Sequence, residues 1–231
     1  MHQELIRRVV EELQASLNGR FLGKIYQLTP LSFAFDFGLR GSFLFVSVDP
    51  SSPRLYLIER RGRDLQKASI PLVNFGQLLR ARTNGCAVVA VEKDPTDRVV
   101  RFTFRCEDDA GATMFRRLVL QLTGRTANLF LLDEADCILA VFRGPRAEMP
   151  GEIYSPPQAA AENRSSIAEI PEGSPSAYLD SLYSGVDAAR AFDSHAGTLR
   201  SRLRSSIQRQ RKLKEHLRED LAGHGDPEEH K

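Results

Sequence analysis

Apolar residues recur near the start of the chain at three- and four-residue steps: Leu5, Val9 with Val10, Leu13 and Leu17. That is the period of a helix with one buried face. Asn18-Gly19 supplies its stop, since glycine accepts the left-handed backbone that ends a helix. The period then changes to two. RFLGKIYQL, SFAFDF, SFLFVSVD and RLYLIE follow one another as short runs of aromatic and branched residues. Thr29-Pro30, Gly38, Gly41 and the stretch from Pro50 to Pro53 separate them, which predicts an antiparallel meander. Alternation places Phe33, Phe35 and Phe37 on one face.

A second cycle begins at Pro71. Proline suits a first helical turn, where its missing N–H would have no partner, so PLVNFGQLLRARTNG is predicted as a helix with Pro71 at its start. CAVVAVEKD, RVVRFTFRC, MFRRLVLQL, NLFLLDE and CILAVFR then alternate as strands between Asp-Pro, Asp-Asp-Ala-Gly, Thr-Gly and Asp-Glu-Ala-Asp turns. The cycles share features: Asn84-Gly85 repeats Asn18-Gly19, and NLFLLD at 128–133 matches RLYLIE at 54–59 in character. An internal duplication and an independent use of one pattern both account for this. Either way the fold class is α+β: eight or nine antiparallel strands in a two-layer β-sandwich, with two helices against its ends.

Three regions follow. Residues 1–157 form the folded domain. Residues 158–175, rich in Pro, Ala, Ser and Glu and without periodicity, read as a linker. Residues 176–231 read as a long helical or coiled-coil segment, with Tyr178, Leu182 and Val186 on one stripe and Leu199, Leu203, Leu213 and Leu217 at heptad spacing. Ser206 and Gln210 interrupt that seam, so the helix is expected to need an antiparallel partner. No returning helix follows before GDPEEHK, so the segment is expected to be the ascending part of a truncated arm.

Composition narrows the function. With 231 residues and 42% hydrophobic content, the chain can bury a sizeable core. Cys86, Cys106 and Cys137 are widely spaced without a C-x-x-C, which speaks against a disulfide framework or a zinc site and for a reducing cytoplasm. No signal segment or membrane-length apolar run is recognised. His2, His195, His216, His224 and His230 have no Cys or carboxylate at ligand spacing, and the glycines form no phosphate loop or nucleophile elbow. The expectation is a protein that is not an enzyme, with no cofactor and no small-molecule substrate.

Charge is informative through its distribution, because the formal net charge is only +2. Between residues 199 and 218 lie Arg200, Arg202, Arg204, Arg209, Arg211, Lys212, Lys214 and Arg218 against the single acid Glu215. A solubilising surface gains from mixed signs and i, i+4 pairs, so this lopsided rail is expected to meet a phosphate backbone. Two polar corners complete the candidate site. Asp97-Arg98 opens a strand, where an exposed ion pair stabilises by only about 1 kcal/mol or less. The turn QLTGRTAN offers Gln121, Leu122, Thr123, Gly124, Arg125 and Asn128, with a glycine for a left-handed turn and a planar donor fork. Both corners are expected at one end of the sandwich, forming one recognition surface.

NGRFLGKIYQ, FGQLLRARTNG, DRVVRFTF, LTGRTANLFLLDE and PGEIYSPP occur in that order. Together they resemble the N-terminal domain of the NFACT proteins, also called the fibronectin-binding protein A family, whose members act in ribosome-associated quality control. The resemblance covers residues 5–157 and resumes at SAYLDSLY. It implies binding to the 50S ribosomal subunit and to tRNA, and support of alanine tailing of stalled nascent chains. It further implies that Asp97-Arg98 and the loop at Gln121, Leu122 and Thr123 lie near a tRNA anticodon, while residues 176–231 begin a coiled coil crossing the ribosome. The N-terminal domain of that family looks like that of formamidopyrimidine-type DNA glycosylases. Glycosylase activity is not implied, because Met1 and His2 stand where those enzymes carry a proline nucleophile and a glutamate. The chain departs from the family pattern in three places. MHQELI replaces Phe-Asp-Gly, Gln121 and Thr123 replace an acid and a methionine, and about twenty residues stand where a helix-hairpin-helix region belongs. The family's older name supplies an alternative, a surface adhesin or other protein-interaction module. A nucleic-acid-processing enzyme on the glycosylase-like fold is a third.

Overall fold

In the computed structural model, which describes residues 1–95, 97–107, 110–144, 150–157 and 173–223, the chain divides into two compact units, Met1–Asp180 and Ser181–Lys231. The first unit opens with α1 (Gln3–Leu17), which buries Leu5, Ile6, Val9, Val10, Leu13 and Leu17. Strands β1 (Ile25–Thr29), β2 (Ser32–Phe35), β3 (Ser42–Ser47) and β4 (Arg54–Glu59) form a four-stranded antiparallel sheet in chain order. A second meander, β5 (Ala87–Lys93), β6 (Val99–Glu107), β7 (Thr113–Gln121), β8 (Asn128–Leu132) and β9 (Ile138–Val141), gives a five-stranded antiparallel sheet. Nine strands among the described residues, with helices, make the α+β fold that the alternation predicts. α1 packs on β4 and β5, one strand from each sheet.

Aromatic rings tie the layers together. Phe33 of β2 lies 6.0 Å from Phe35 and 5.1 Å from Phe142, just past β9. Phe142 in turn sits 5.6 Å from Phe75 in the helix that precedes β5. In β6 the inward set Val100, Phe102 and Phe104 is fully buried. The opposite face is buried too, where Val99, Val119, Phe130, Leu132, Ile138 and Tyr154 form one cluster. Tyr154 comes from the segment PGEIYSPP and closes the sheet from outside.

Several local features differ from the pattern read in the sequence. A short helix, α2 (Gly62–Ala68), was hidden because it buries a single apolar side chain, Leu65, too few to show a period. The second expected helix, α3, runs Asn74–Thr83, so Pro71 lies before it. There the Ile70 N–H donates to the Gln27 carbonyl at 2.8 Å and the Val73 N–H donates to Gln27 Oε1 at 2.9 Å. This tethers the segment to β1 in an extended path, which a residue before proline also favours. β1 itself starts only at Ile25. Both Asn-Gly stops form as expected: Gly19 and Gly85 adopt φ of +74° and +73° after α1 and α3.

The cysteine expectation is corrected. Cys86 and Cys106 form a disulfide with Cα atoms 4.4 Å apart. The antiparallel register pairs Ala87 with Arg105, so the next position outward places Cys86 opposite Cys106 although twenty residues separate them. Such a Cα distance is that of a non-hydrogen-bonded cross-strand pair. Spacing along the chain carries no hint of it.

The last helix, α4 (Pro175–Gly223), begins within the first unit. The Glu12 carboxylate accepts from the hydroxyls of Ser174 and Ser176 and from the Ser176 N–H at 3.2 Å. The Leu57 N–H donates to Ser176 Oγ at 2.9 Å, and Arg60 holds Asp180 through two bonds of 2.8 and 2.9 Å. Residues 173–175, read as linker from composition, are therefore held to the domain. Residues 158–172 of that expected linker, like His224, His230 and the GDPEEHK end, lie outside the described residues. No helix among the described residues is long and apolar enough to cross a membrane.

The disulfide generates a stability prediction. In oxidising buffer Cys106→Ser should unfold at lower denaturant than the wild type by about 3 kcal/mol, the scale of chain entropy for a loop of this size. A reducing agent should abolish the difference, and equal stability in both buffers would mean that the bridge does not form.

Candidate nucleic-acid interface

The β5–β6 hairpin closes where the Asp94 N–H donates to the Val99 carbonyl at 2.8 Å. Asp97 is 9% exposed, and its Oδ1 accepts the N–H of Arg98 at 2.6 Å. The Asp97 N–H donates to Asp94 Oδ1 at 3.2 Å. The aspartate thus serves its own corner, while Arg98 is half-buried. The pair named in the sequence is not an ion pair joining two side chains.

The β7–β8 connection lies directly alongside. Val99 pairs with Gln121 at the end of the β6–β7 ladder, and one residue further the Leu122 N–H donates to the Arg98 carbonyl at 2.8 Å. The two corners therefore occupy one edge of the five-stranded sheet. Within the β7–β8 connection the chain makes a short 3-10 turn over Gly124–Thr126, closed by the Ala127 N–H on the Gly124 carbonyl at 2.9 Å. Gly124 has φ +68° with nothing near a notional Cβ, so backbone conformation, not space, requires glycine.

Within this loop the expected residues divide. Gln121, Leu122 and Asn128 are buried. Gln121 Nε2 donates to the Thr126 carbonyl at 2.8 Å, and its Oε1 accepts the Tyr154 hydroxyl at 3.4 Å. Asn128 Oδ1 accepts the N–H groups of Arg143 at 2.8 Å and Leu129 at 2.9 Å, while its Nδ2 donates to the Arg143 carbonyl. These amides are occupied in shaping the loop, as buried polar groups must be. Thr123 and Gly124 are half-buried and Arg125 is exposed. The Thr123 and Thr126 hydroxyls meet at 2.6 Å. Of the eight residues expected from sequence, Arg98, Thr123 and Gly124 are thus half-buried and Arg125 alone is exposed.

Further residues at this edge were not anticipated. Arg143 Nη1 donates to the carbonyls of Val48 at 3.1 Å and Ala127 at 3.2 Å, which brings the end of β3 onto the β7–β8 loop. Lys93 Nζ donates to Gln3 Oε1 at 3.1 Å, so the start of α1 meets the β5–β6 hairpin. Arg54 is buried, with Nη1 on the Ser52 carbonyl at 3.0 Å and its guanidinium carbon 5.2 Å from the Phe45 ring centre. Burial, then the guanidiniums of Arg98 and Arg54, pushes the Met1 α-ammonium below its ordinary value. Like charges gathered at one edge make it attractive to anions. Only the β-branched and aromatic context of these residues was visible in the sequence; their convergence follows from sheet topology.

Arg200, Arg202, Arg204, Arg209, Arg211, Lys212, Lys214 and Arg218 are all exposed along α4. Leu199, Leu203, Ile207, Leu213 and Leu217 are exposed as well, each to 48–62%. Between residues 199 and 218 the helix thus presents eight guanidinium and ammonium groups against the single carboxylate of Glu215.

A family model described as NFACT N-terminal and middle domains matches residues 4–172. The Rqc2 homolog RqcH of Bacillus subtilis is 24% identical over 161 residues, covering 65% of this chain and 28% of that protein. The chain thus spans less than a third of that relative's length. The fibrinogen binding protein from Staphylococcus aureus superposes with a TM-score of 0.56 at 25% identity, over 66% of this chain and 55% of that one. The N-terminal domain of the fibronectin-binding protein PavA from Streptococcus pneumoniae gives a TM-score of 0.57 at 21% identity, over 72% and 64%. The N-terminal part of the fibronectin/fibrinogen-binding protein from Streptococcus suis gives 0.58 at 20%, over 71% and 64%. At 20 and 21% identity these last two likenesses speak to the fold alone, whereas the family match runs through the whole first sheet, the second sheet and the segment beyond Tyr154. The chain belongs to the NFACT family.

Proposed function

We propose that this protein is a non-enzymatic RNA-binding component of ribosome-associated quality control, working in the cytoplasm without cofactor or small-molecule substrate. It binds the obstructed 50S subunit and tRNA and supports alanine tailing of stalled nascent chains. The observation that supports this reading best is the hydrogen bond from the Leu122 N–H to the Arg98 carbonyl, which sets two polar corners side by side. A guanidinium at such an edge offers a planar fork of donors that suits phosphate oxygens or a guanine edge. Similarity to the Rqc2 homolog RqcH points to the same process.

The eight exposed cations of the helix between residues 199 and 218 supply the sequence-independent part of the affinity. Each phosphate they neutralise releases a counterion, so binding should weaken steeply with salt. The edge and the helix then have different tasks: the edge orients a nucleotide, and the helix tracks a backbone.

The names of the similar streptococcal and staphylococcal structures favour a second reading, a fibronectin- or fibrinogen-binding module. Sedimentation with 50S subunits on a gradient supports the first reading. Retention on immobilised fibronectin with no ribosomal sedimentation supports the second.

Arg98→Ala should weaken binding to tRNA-loaded 50S subunits by about tenfold and make the salt slope shallower by about one, with an unchanged thermal midpoint. Unaltered affinity and slope would remove Arg98 from the interface. Replacing Arg209, Arg211, Lys212 and Lys214 together by glutamine should flatten the plot of log affinity against log salt by about three, at roughly 0.7 per single-strand phosphate contact. An identical slope would show that the helix touches no phosphate.

A further inference from the structure

We infer that the Cys86–Cys106 bridge is a reversible redox latch on the seam between the two sheets, a property independent of what the opposite end of the β5–β6 ladder binds. The seam is short. Residues 19–22, between α1 and β1, run along the start of β5. There the Gly19 N–H donates to the Val88 carbonyl at 2.8 Å, the Val88 N–H to the Arg20 carbonyl at 2.8 Å and the Leu22 N–H to the Cys86 carbonyl at 3.4 Å, while Phe21 bridges to Ala87. On its other side the same segment meets β6 only through Ala87 opposite Arg105 and Val88 opposite Phe104, because the register shifts between Val88 and Ala90. A bulge of this kind interrupts the ladder. Residues 86–88 are thus set apart from the rest of β5, and the disulfide is the covalent bond that ends their short pairing with β6.

The site accommodates the reduced pair as well. α3 ends beside it, and the last turn of a helix leaves carbonyls that its own amides do not reach. Cys86 Sγ lies 3.8 Å from the Arg82 and Asn84 carbonyl oxygens, and Cys106 Sγ lies 4.0 Å from that of Arg82. Each thiol, a weak donor, therefore has an acceptor once the bridge opens. Both cysteines are buried, at 2% and 5% exposure, so a reagent meets the sulfurs only when the seam parts. Bridging and closure are linked. Disulfides in a reducing compartment are usually transient and redox-sensing, and the oxidant assigned here is a low-molecular-weight disulfide. One cysteine thiolate attacks it, releasing a small thiol and leaving a mixed disulfide, and the second cysteine then displaces the other small thiol. The protein thereby passes two electrons and two protons to the two thiols released.

Equilibrating the full chain over graded ratios of reduced and oxidised glutathione, with bridged molecules counted by thiol alkylation and mass spectrometry, tests this. The bridged fraction should follow a two-electron curve and fall below about half in the most reducing mixtures. Hydrogen exchange at residues 19–22 and 86–88 should be about tenfold or more faster in the reduced chain. Exchange at Val119 and Leu120, in the centre of the second sheet, should not change. Cys86→Ser should exchange like the reduced chain in every mixture, and Cys137→Ser, which alters the free cysteine, should leave the curve unmoved. Should Cys86→Ser not fold, the wild type in its two redox states supplies the comparison alone. A bridge that never forms or persists in every mixture, a reduced chain that unfolds as a whole, or equal exchange at the seam in both states would overturn the latch.

Discussion

The antiparallel register of β6 against β7 is the constraint on which the proposed interface depends. Val99 opposite Gln121, continued by the Leu122 N–H on the Arg98 carbonyl, sets the two corners at one edge. Side chains alternate along a strand, so a slip by one residue would exchange every inward group for an outward one. Val100, Phe102 and Phe104 would leave the core, and such a loss of apolar burial holds the register against slippage. The energy that places Arg98 therefore resides in fully buried hydrophobic side chains.

Burial on both faces of the second sheet explains the division of labour in its loops. Tyr154 caps the outer cluster, and its hydroxyl reaches Gln121 at 3.4 Å. Asn128 grips both backbone groups of Arg143, and Arg143 joins the carbonyls of Val48 and Ala127. Amides in a low-dielectric setting are costly when unpaired and rigid when paired. They are spent here on shape, while Arg125 and Thr126 of the same loop remain exposed. An edge supported by bonds of this kind is preorganised, so less conformational freedom is lost when a ligand arrives.

Family membership rests on motifs spread through the match over residues 4–172, most of which serve packing and turns. NGRFLGKIYQ ends in Gln27, whose amide holds the approach to α3, and PGEIYSPP contributes the ring that closes the second sheet. Asp97 likewise binds backbone within its motif. The motifs that reveal the family are thus largely those that build the frame around Arg98.

Local physics was legible in the residues themselves. Period-two alternation gave the meanders, the three- and four-residue steps gave α1, and both Asn-Gly stops form with glycine at positive φ. These depend on near neighbours along the chain, where side-chain period and backbone preference act directly. α2 escaped because only Leu65 anchors it, and the late start of α3 escaped because its approach is tied down by Gln27, 46 residues earlier. The Cys86–Cys106 bridge and the inward turn of Gln121, Asn128 and Asp97 share that cause. Which polar side chains satisfy the interior and which remain for a partner is decided by cross-strand register and burial, long-range properties that emerge only when the two sheets and their helices close around one core.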